Sequence, residues 1–234
     1  MRMGSITTDI IKNGLIWNID PANRASYVPN ATTTFNTTNL SQFGSLTNGV
    51  SFNNANKGIW EFDGSDDWIE LDSFILNTDA AWSISLWTNL DDFSYSYPEL
   101  FILKTNEATG FTCFMGNASS YTGINFGSNS NFAKFKTTGD ISGDLVGAWV
   151  NIILTYNGND KATSNNYIIY VNGASVLNTA TGTFAAVDNR FSNIGVGNTN
   201  NYFDGNIGPV HIYNRALSST EVLHNYNALK SRFE

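Results

Sequence analysis

The chain has 234 residues and a formal net charge of −8, with 14% charged, 41% hydrophobic and 14% aromatic residues. Because charged residues are scarce, neutral polar side chains must form much of the surface. The hydrophobic and aromatic content suffices for a packed core and argues against wholesale disorder. The acidic balance, without any cluster of Lys and Arg, excludes a phosphate-backbone interface, and we expect no nucleic-acid partner.

The N-terminal sequence MRMGSITTDIIKNGLIW lacks the apolar core and cleavage site of a standard secretory signal. No uninterrupted apolar run reaches the roughly 18 residues that a membrane-spanning helix needs, so we expect no membrane partner. Cys113 is the single cysteine, which rules out an intrachain disulfide. We therefore expect the protein to fold in a reducing cytoplasm.

Short β-type runs separated by turn signals are the dominant pattern along the chain. In WVNIILTYNG (149–158) the apolar residues alternate along the run, as they do in WSISLWTNL (82–90). NYIIYVNGASVLNTA (166–180) predicts a hairpin with a type I′ turn at Asn172-Gly173. Other predicted strands lie in eight runs: 14–20, 58–64, 67–74, 99–105, 110–116, 123–128, 190–197 and 203–215.

About a dozen strands exceed the seven of an immunoglobulin-type unit. Their number predicts an all-β fold, a two-sheet antiparallel jelly-roll sandwich. The chain contains neither a repeat of fixed period nor a Pro- or Gly-rich linker, so one domain over residues 14–234 is predicted. Residues 1–13 are polar and match no core pattern, and we expect them to form an N-terminal arm that contacts a neighbour.

One short C-terminal helix closes the predicted sandwich. Ser218 and Glu221 form a capping box, and Leu217 is placed to pack on Val222 inside the helix. An apolar stripe is predicted at Val222, Leu223, Tyr226, Leu229 and Phe233. So short a helix must dock on something. It either clasps the sandwich or projects as an assembly element, and the direct connection from the last strand favours the clasp.

Three carboxylates gather in the predicted turn Asp63-Gly64-Ser65-Asp66-Asp67. Ca²⁺ prefers carboxylate and carbonyl oxygens, so Asp66 and Asp67 are the candidate metal ligands, although no cofactor is required. The alternative is Asx-turn chemistry, in which Asp side chains bond nearby backbone amides. His211 and His224 have no zinc-type spacing to another ligand, and structural or surface roles are expected for both.

The order of several motifs resembles that of concanavalin A-like, laminin-G-like jelly-roll domains. These motifs are GLIWNIDPANRASYVP, LTNGVSFNNANKGIWEFDGSDDWIEL, SISLWTNL, WVNIILTYNG, IIYVNGA and FDGNIGPVHIYNRALSSTEVLHNYN. The ending NYNALKSRF is similar to the tail of such domains in structural proteins of tailed bacteriophages. The resemblance implies a virion component made in the host cytoplasm: a capsid decoration, head fibre or tail-associated module.

Jelly-roll glucanases of the retaining type carry E-x-D-x-E in one strand, where the outer glutamates act as nucleophile and acid/base. Here Glu70 and Asp72 match the first two positions, but Phe74 stands at the third. Retaining hydrolysis needs two carboxyl groups that flank the bond. We therefore assign no catalytic residue and expect a protein that is not an enzyme.

The leading hypothesis is a non-enzymatic bacteriophage structural protein that mediates adhesion. Its expected partners are other virion proteins of the capsid or tail and host-surface glycans. A sandwich with many strand edges needs them covered, so a homo-oligomer or docking on a shell is expected. The alternative is a carbohydrate-binding, lectin-like module that uses aromatic stacking, with or without Ca²⁺. A glycoside hydrolase is the third hypothesis.

Overall fold

A computed structural model describes residues 9–72, 76–77, 79–93, 97–106, 109–117, 123–128, 134–137, 142–160, 163–176, 178–181, 191–196 and 201–234. Two antiparallel sheets and one helix of 12 residues near the C-terminus confirm the predicted concanavalin A-like jelly-roll sandwich. Within these ranges no helix is long and apolar enough to cross a bilayer.

In the described residues the first sheet has eight strands. They are β1 (Leu15–Ile19), β4 (Ser51–Asn53), β5 (Ile59–Asp63), β7 (Trp82–Leu90), β12 (Trp149–Tyr156), β13 (Tyr167–Val171), β14 (Ala174–Val176) and β17 (Asp204–Tyr213). In space their order is β14-β13-β12-β7-β17-β5-β4, and β1 also pairs with β17.

The second sheet has nine strands in the part of the chain that the structure describes. They are β2 (Thr33–Phe35), β3 (Phe43–Thr47), β6 (Trp68–Leu71), β8 (Glu99–Asn106), β9 (Thr109–Gly116), β10 (Gly123–Ser128), β11 (Lys134–Thr137), β15 (Asn178–Thr181) and β16 (Phe191–Ile194). Their order in space is β15-β11-β10-β9-β8-β16-β6-β3-β2. Short helices lie at α1 (Ser142–Leu145), Ala55–Lys57 and Ser164–Asn166, and the C-terminal helix α2 spans Ser219–Lys230.

The main core lies between the two sheets. On β12 the predicted face Val150, Ile152, Leu154 and Tyr156 is buried in it, which confirms the period-2 pattern. On β7 the alternation also holds, since Trp82, Ile84 and Leu86 point into the same core. Aromatic rings fill much of the space between the sheets, in keeping with the composition.

The hairpin at Asn172-Gly173 forms as predicted. Both residues have positive φ, 51° and 79°, as a type I′ turn requires. The second half of the hairpin was predicted as one run over 174–180, and this is wrong. The structure divides it into β14, which pairs with β13, and β15, which pairs with β11 of the other sheet.

Residues 29–49 form a hairpin that the sequence did not predict as strands. Their Asn and Thr content masked β2 and β3, which pair at the edge of the nine-stranded sheet. Asn48, at φ 62°, begins the turn that leads from β3 into β4. Asn tolerates this left-handed conformation better than most residues, so a sequence rich in Asn is compatible with tight turns.

Helix α2 lies on the outer face of the eight-stranded sheet, which confirms the clasp. Leu217 and Val222 pack in one cluster with Tyr213 of β17. The ring of Phe233 stacks on Trp87 with centroids 4.4 Å apart. The predicted capping box is present, with Ser218 accepting from the backbone N–H of Glu221.

One member of the predicted stripe is wrong. Leu223 is 47% exposed, whereas Asn225 is buried on the side of the helix that faces the sheet. The Asn225 side chain donates to Tyr213 Oη over 3.0 Å and accepts from the N–H of Ile11 over 2.8 Å. Asn225 can occupy a buried position on the helix, where periodicity predicts an apolar residue, because its side chain has hydrogen-bond partners there.

Residues 9–13 of the predicted arm lie against this helix. Besides the contact of Ile11 with Asn225, the carbonyl of Asp9 lies 2.9 Å from the ring of His224. Arg215 donates to the carbonyl of Asn13 over 2.9 Å. Residues 1–8 lie outside the described residues, and the contact of an arm with a neighbouring molecule stays a prediction.

Candidate functional site

The turn between β5 and β6 places three aspartates together. One carboxylate oxygen each of Asp63, Asp66 and Asp67 lies within 4.8 Å of the others. Asp63 accepts from the N–H of Ser65 over 2.8 Å, which is the Asx turn that the sequence offered as an alternative. The two interpretations are therefore compatible, because the turn chemistry itself creates the carboxylate cluster.

Asp67 differs from its two neighbours because it is only 2% exposed. Its Oδ2 accepts from the N–H of Asp63 over 3.1 Å. Within the part of the chain that the structure describes, Oδ1 has no hydrogen-bond partner. Burial first, and then the charges of Asp63 and Asp66, raise the pKa of Asp67 to about 6, although the bond from the Asp63 backbone opposes this.

The turn belongs to a larger group of acids at one end of the sandwich, here called the acidic rim. Asp204, the first residue of β17, pairs with Asp63, and the N–H of Asp91 donates to the Asp204 carbonyl over 3.0 Å. Desolvation and then the charges of three rim residues raise the pKa of Asp91. The rim comprises Glu61, Asp63, Asp66, Asp67, Asp91, Asp92 and Asp204.

Two aromatic residues lie next in the chain to residues of the acidic rim. Trp68 follows Asp67 in the chain, and Tyr202 precedes Phe203 and Asp204. Their ring centroids are 6.4 Å apart with an interplanar angle of 28°, and both side chains are half-buried. The neighbouring residue on each segment, Ile69 or Phe203, points into the core, which fixes the backbone beneath the two rings.

We call Trp68 and Tyr202 the aromatic platform. Trp68 faces outward because strand residues alternate, and Ile69 and Leu71 of β6 are buried. The predicted strand 67–74 contains Trp68, whereas Tyr202 lies just before the predicted strand 203–215. The segment just before β17 lies next to β6 only in the folded protein. No local sequence pattern could therefore have shown that Trp68 and Tyr202 form a pair.

In the described residues Glu70 faces no acid on the adjacent strands. Glu70 is exposed, and its partners on the adjacent strands are Ser45 and Asn193. Phe74 lies outside the described residues. Glu99, which the sequence analysis missed, is buried on β8 and accepts from Thr112.

The strands that carry Glu70 and Glu99 are separated by β16, so they lie about 10 Å apart. Retaining hydrolysis needs carboxyl groups about 5 Å apart. The two glutamates are further offset along the strands, because Asn193 pairs with Glu70 and with Ile102, three residues beyond Glu99. The two glutamates therefore lie too far apart for retaining hydrolysis.

A concavity lies at the C-terminal end of α2, and the Arg232 side chain in its lining is paired. The Arg232 side chain donates to Asp20 and to the carbonyls of Asn56 and Gly58, over 2.8 to 3.0 Å. His211, also in its lining, is buried, and burial lowers its pKa to about 4. These contacts fasten the end of the chain to the sheet and fit the structural role expected for His211.

The thiol of the single cysteine is buried. Cys113 lies in the core on β9. Burial, followed by the charge of Glu99, raises the pKa of the thiol well above its ordinary value. A thiol held neutral is a poor nucleophile, so Cys113 contributes to packing.

Sequence comparison identifies the family. The profile of the concanavalin A-like lectin/glucanases superfamily matches residues 63–223, more than half of the chain. The chain belongs to this superfamily. No curated protein sequence matches it.

Solved structures share the fold at low sequence identity. Domain 4 of AbnA, a GH43 extracellular arabinanase from Geobacillus stearothermophilus in complex with arabinotriose, is 16% identical, with a TM-score of 0.65 over 91% of this chain and 98% of that one. Trypanosoma rangeli sialidase in complex with sialic acid is 11% identical, with a TM-score of 0.67 over 96% of this chain. The binding domain of Paraclostridial Mosquitocidal Protein 1 is 15% identical, with a TM-score of 0.63 over 92%.

The chain spans only part of two of these structures. It covers 34% of the sialidase and 52% of the mosquitocidal binding domain. At such identities the likeness establishes the shared sandwich.

Proposed function

We propose that the protein is a carbohydrate-binding, lectin-like module that recognises neutral sugars at the aromatic platform. The carrying observation is the half-buried Trp68–Tyr202 ring pair, whose two residues are near neighbours in the chain of the rim acids Asp67 and Asp204. Sugar rings present C–H faces that pack on aromatic faces, while their hydroxyl groups need polar partners at the edge. The platform and the rim supply both kinds of contact next to each other.

The charge of the rim supports neutral sugars over acidic ones. Carboxylates such as Asp66 and Asp204 accept hydrogen bonds from hydroxyl groups, and such charge-assisted bonds are strong. A sialic acid or uronic acid would bring another negative charge close to Asp63, Asp66 and Asp204. The ligand class proposed for this chain is therefore a neutral oligosaccharide, although one relative of the fold was solved with sialic acid.

The arabinanase domain gives independent support for the same class. Its structure contains arabinotriose, a neutral sugar, and the chain covers 98% of that domain. Phe74 stands where the retaining glucanases carry their second glutamate, and this substitution supports a binding role without hydrolysis. Release of reducing ends from any oligosaccharide that the protein binds would contradict the non-enzymatic part of the proposal.

A glycan array with purified protein tests the function. We expect binding to neutral glycans, and at least tenfold weaker binding by Trp68→Ala and by Tyr202→Ala, because each substitution removes one ring face of the platform. Phe35→Ala is the matched control, since Phe35 is an exposed aromatic residue on β2 of the same sheet. The array is run with Ca²⁺ and with chelator. No binding under either condition, or equal loss in the control, would overturn the proposal.

Display on a bacteriophage particle is the setting proposed from the sequence resemblance. A lectin-like module on a capsid or tail would bind host-surface glycans, so the two roles are compatible. Mass spectrometry of purified particles from the producing host tests the setting. Detection at a stoichiometric level supports a virion protein, and absence from the particles would discard it.

A further inference from the structure

We propose that the concavity at the C-terminal end of α2 binds a small hydroxycarboxylate, a monoanion of the size of a short hydroxy acid. The concavity has a volume of about 260 Å³ and is bordered by α2, β1 and β17. This volume lies just below the range of about 300–1,000 Å³ that is usual for drug-sized ligands, so the concavity suits a smaller molecule. None of its lining residues in the described part of the chain belongs to the acidic rim or to the aromatic platform, so the site is independent of the proposed sugar binding.

The buried ring of His211 is the observation that points to a ligand. His211 is 3% exposed and lines the concavity. Its neighbours Val210 and Ile212 lie in the main core, so the His211 side chain points to the opposite face of β17, towards the concavity. Among the described residues the ring has no hydrogen-bond partner. A buried polar group without a partner is costly, and a ligand that bonds to the ring would remove that cost.

Asn18 stands beside His211 on the same face of the sheet. The two residues are partners in the ladder between β1 and β17, and Asn18 also lines the concavity. The β-carbons of such cross-strand partners are about 4.5–5.5 Å apart, so one small molecule can reach both side chains. Burial lowers the pKa of His211 to about 4, and the neutral ring therefore offers one N–H donor and one acceptor at pH 7. This pair can thus bind a carboxylate oxygen and a hydroxyl group together.

The turn before β5 brings a cation to the concavity. Asn56 and Lys57 both have positive φ, 50° and 68°, an uncommon conformation for a lysine. Arg232 holds the turn in place, since it donates to the carbonyls of Asn56 and Gly58 over 3.0 Å each. Backbone strain that surrounding contacts maintain is a feature of functional sites. Here it places Lys57 in the lining of the concavity.

The charge balance around the concavity favours a monoanion. Arg232 forms an ion pair with Asp20 over 2.8 Å, and Asp9 pairs with Lys12 over 2.7 Å. Lys57 forms no ion pair among the described residues, so it leaves an excess of one positive charge at this site in a chain whose net charge is −8. A carboxylate would balance this excess, and the ion pair of Asp20 with Arg232 reduces the repulsion that Asp20 exerts on it.

The test is a titration of the full chain with sodium lactate at pH 7 and constant ionic strength, followed by calorimetry and by the ring nitrogen resonances of the two histidines. We expect a dissociation constant on the order of 1 mM, since a molecule of so few atoms binds weakly even at a good site. The His211 resonances should move during the titration. Those of His224, which lies outside the lining, should not.

Lactamide is the matched ligand control, because it has the shape of lactate without the charge, and it should bind at least fivefold more weakly. Lys57→Gln should weaken lactate binding at least fivefold, because it removes the unpaired charge. Lys230→Gln, at an exposed lysine of α2 outside the lining, should retain full binding.

Inorganic phosphate distinguishes a carboxylate site from a general anion site. It is largely a dianion at pH 7, so it should bind no more tightly than lactate at a site with one excess positive charge. Tighter binding of phosphate, equal binding of lactamide, unmoved His211 resonances or an equal loss in Lys230→Gln would overturn the proposal.

Discussion

His211 is a single buried residue whose titration should be visible in the stability of the whole protein. Its pKa is lowered to about 4, mainly because burial disfavours the charged ring; the charge of Asp20 opposes this and that of Arg232 adds to it. In the unfolded chain the group titrates near 6.5. Between these values the unfolded chain binds more protons, so the free energy of unfolding decreases as the pH falls from 6.5 towards 4.

The expected size of the His211 contribution is roughly 3 kcal/mol, fully present above pH 6.5. Urea unfolding at several pH values measures it, with His211→Gln as the comparison. The free energy of unfolding of the Gln variant should decrease less between pH 6.5 and pH 4 than that of the unmodified protein, whatever the absolute stability of the variant. The raised pKa of Asp67 acts in the opposite direction, but it is common to both proteins and cancels in the difference. Parallel curves would contradict the prediction.

At the residue scale the sequence predicted which side chains form the carboxylate turn, but it did not predict which of them is buried. The carboxylate turn was predicted from Asp63, Asp66 and Asp67 alone, because Asp and Gly have strong turn preferences. That Asp67 is the buried member depends on the turn between β3 and β4, which contacts it from a distant part of the chain. Tyr202 could not be predicted for the same reason.

The N-terminus of helix α2 is an element whose local signals can be tested directly. Arg215 forms two hydrogen bonds with Glu221, over 2.9 and 2.7 Å, and Glu221 also accepts from the N–H of Ser218. The bond from Arg215 is the main cause that lowers the pKa of Glu221 to about 2. The stability that Glu221 provides is present above about pH 4.5 and is lost as the pH falls towards 2.

Two substitutions separate the ion pair from the cap. Glu221→Gln keeps a capping-box residue but removes the charge, and should lower the free energy of unfolding by about 1 kcal/mol, since both side chains are 27% exposed. Glu221→Ala removes both contributions and should cost about 2 kcal/mol. Chemical denaturation at pH 7 measures both. If the two variants were equally stable, the cap would contribute nothing.

The ring of Phe233 attaches the C-terminal segment to the sheet together with the contacts of Arg232. Phe233 stacks on Trp87 and packs on Trp149, with centroids 4.4 and 4.6 Å away, and Tyr226 stacks on the same Trp87. We expect Phe233→Ala to lower the free energy of unfolding by about 3 kcal/mol, because a buried aromatic is lost and a cavity remains. The near-UV circular dichroism of the two tryptophans should weaken as well.

The control for this prediction is Phe35→Ala. Phe35 is 40% exposed on an edge strand, so its loss should cost well under 1 kcal/mol. A similar loss in both variants would show that the ring stack on Trp87 does not hold the C-terminal segment.

At the element scale, strands with a strict period of two were predictable, and edge elements were not. β7 and β12 lie at the centre of a sheet, where one face must be buried, so their pattern is strong. β2, β14 and β15 lie at sheet edges, where side chains meet fewer neighbours and the pattern weakens. Between β14 and β15 the chain passes from one sheet to the other, and no local sequence pattern predicts this crossing.

At the scale of the whole molecule, the sandwich concentrates charge at one end. The strands of the first sheet carry Asp63 and Asp204 at that rim, next to the aromatic platform. The overall fold class was predictable because strand number, turn spacing and the C-terminal helix all indicated one architecture. The position of the rim was not, because it requires the register of β5 against β17.

The most direct test of the central claim is a crystal structure of the protein with the neutral oligosaccharide that binds best on the array. We predict that a sugar ring lies on the Trp68–Tyr202 platform and that its hydroxyl groups point to carboxylates of the acidic rim. A sugar bound elsewhere, such as beside Glu99 on the nine-stranded sheet, would contradict the account.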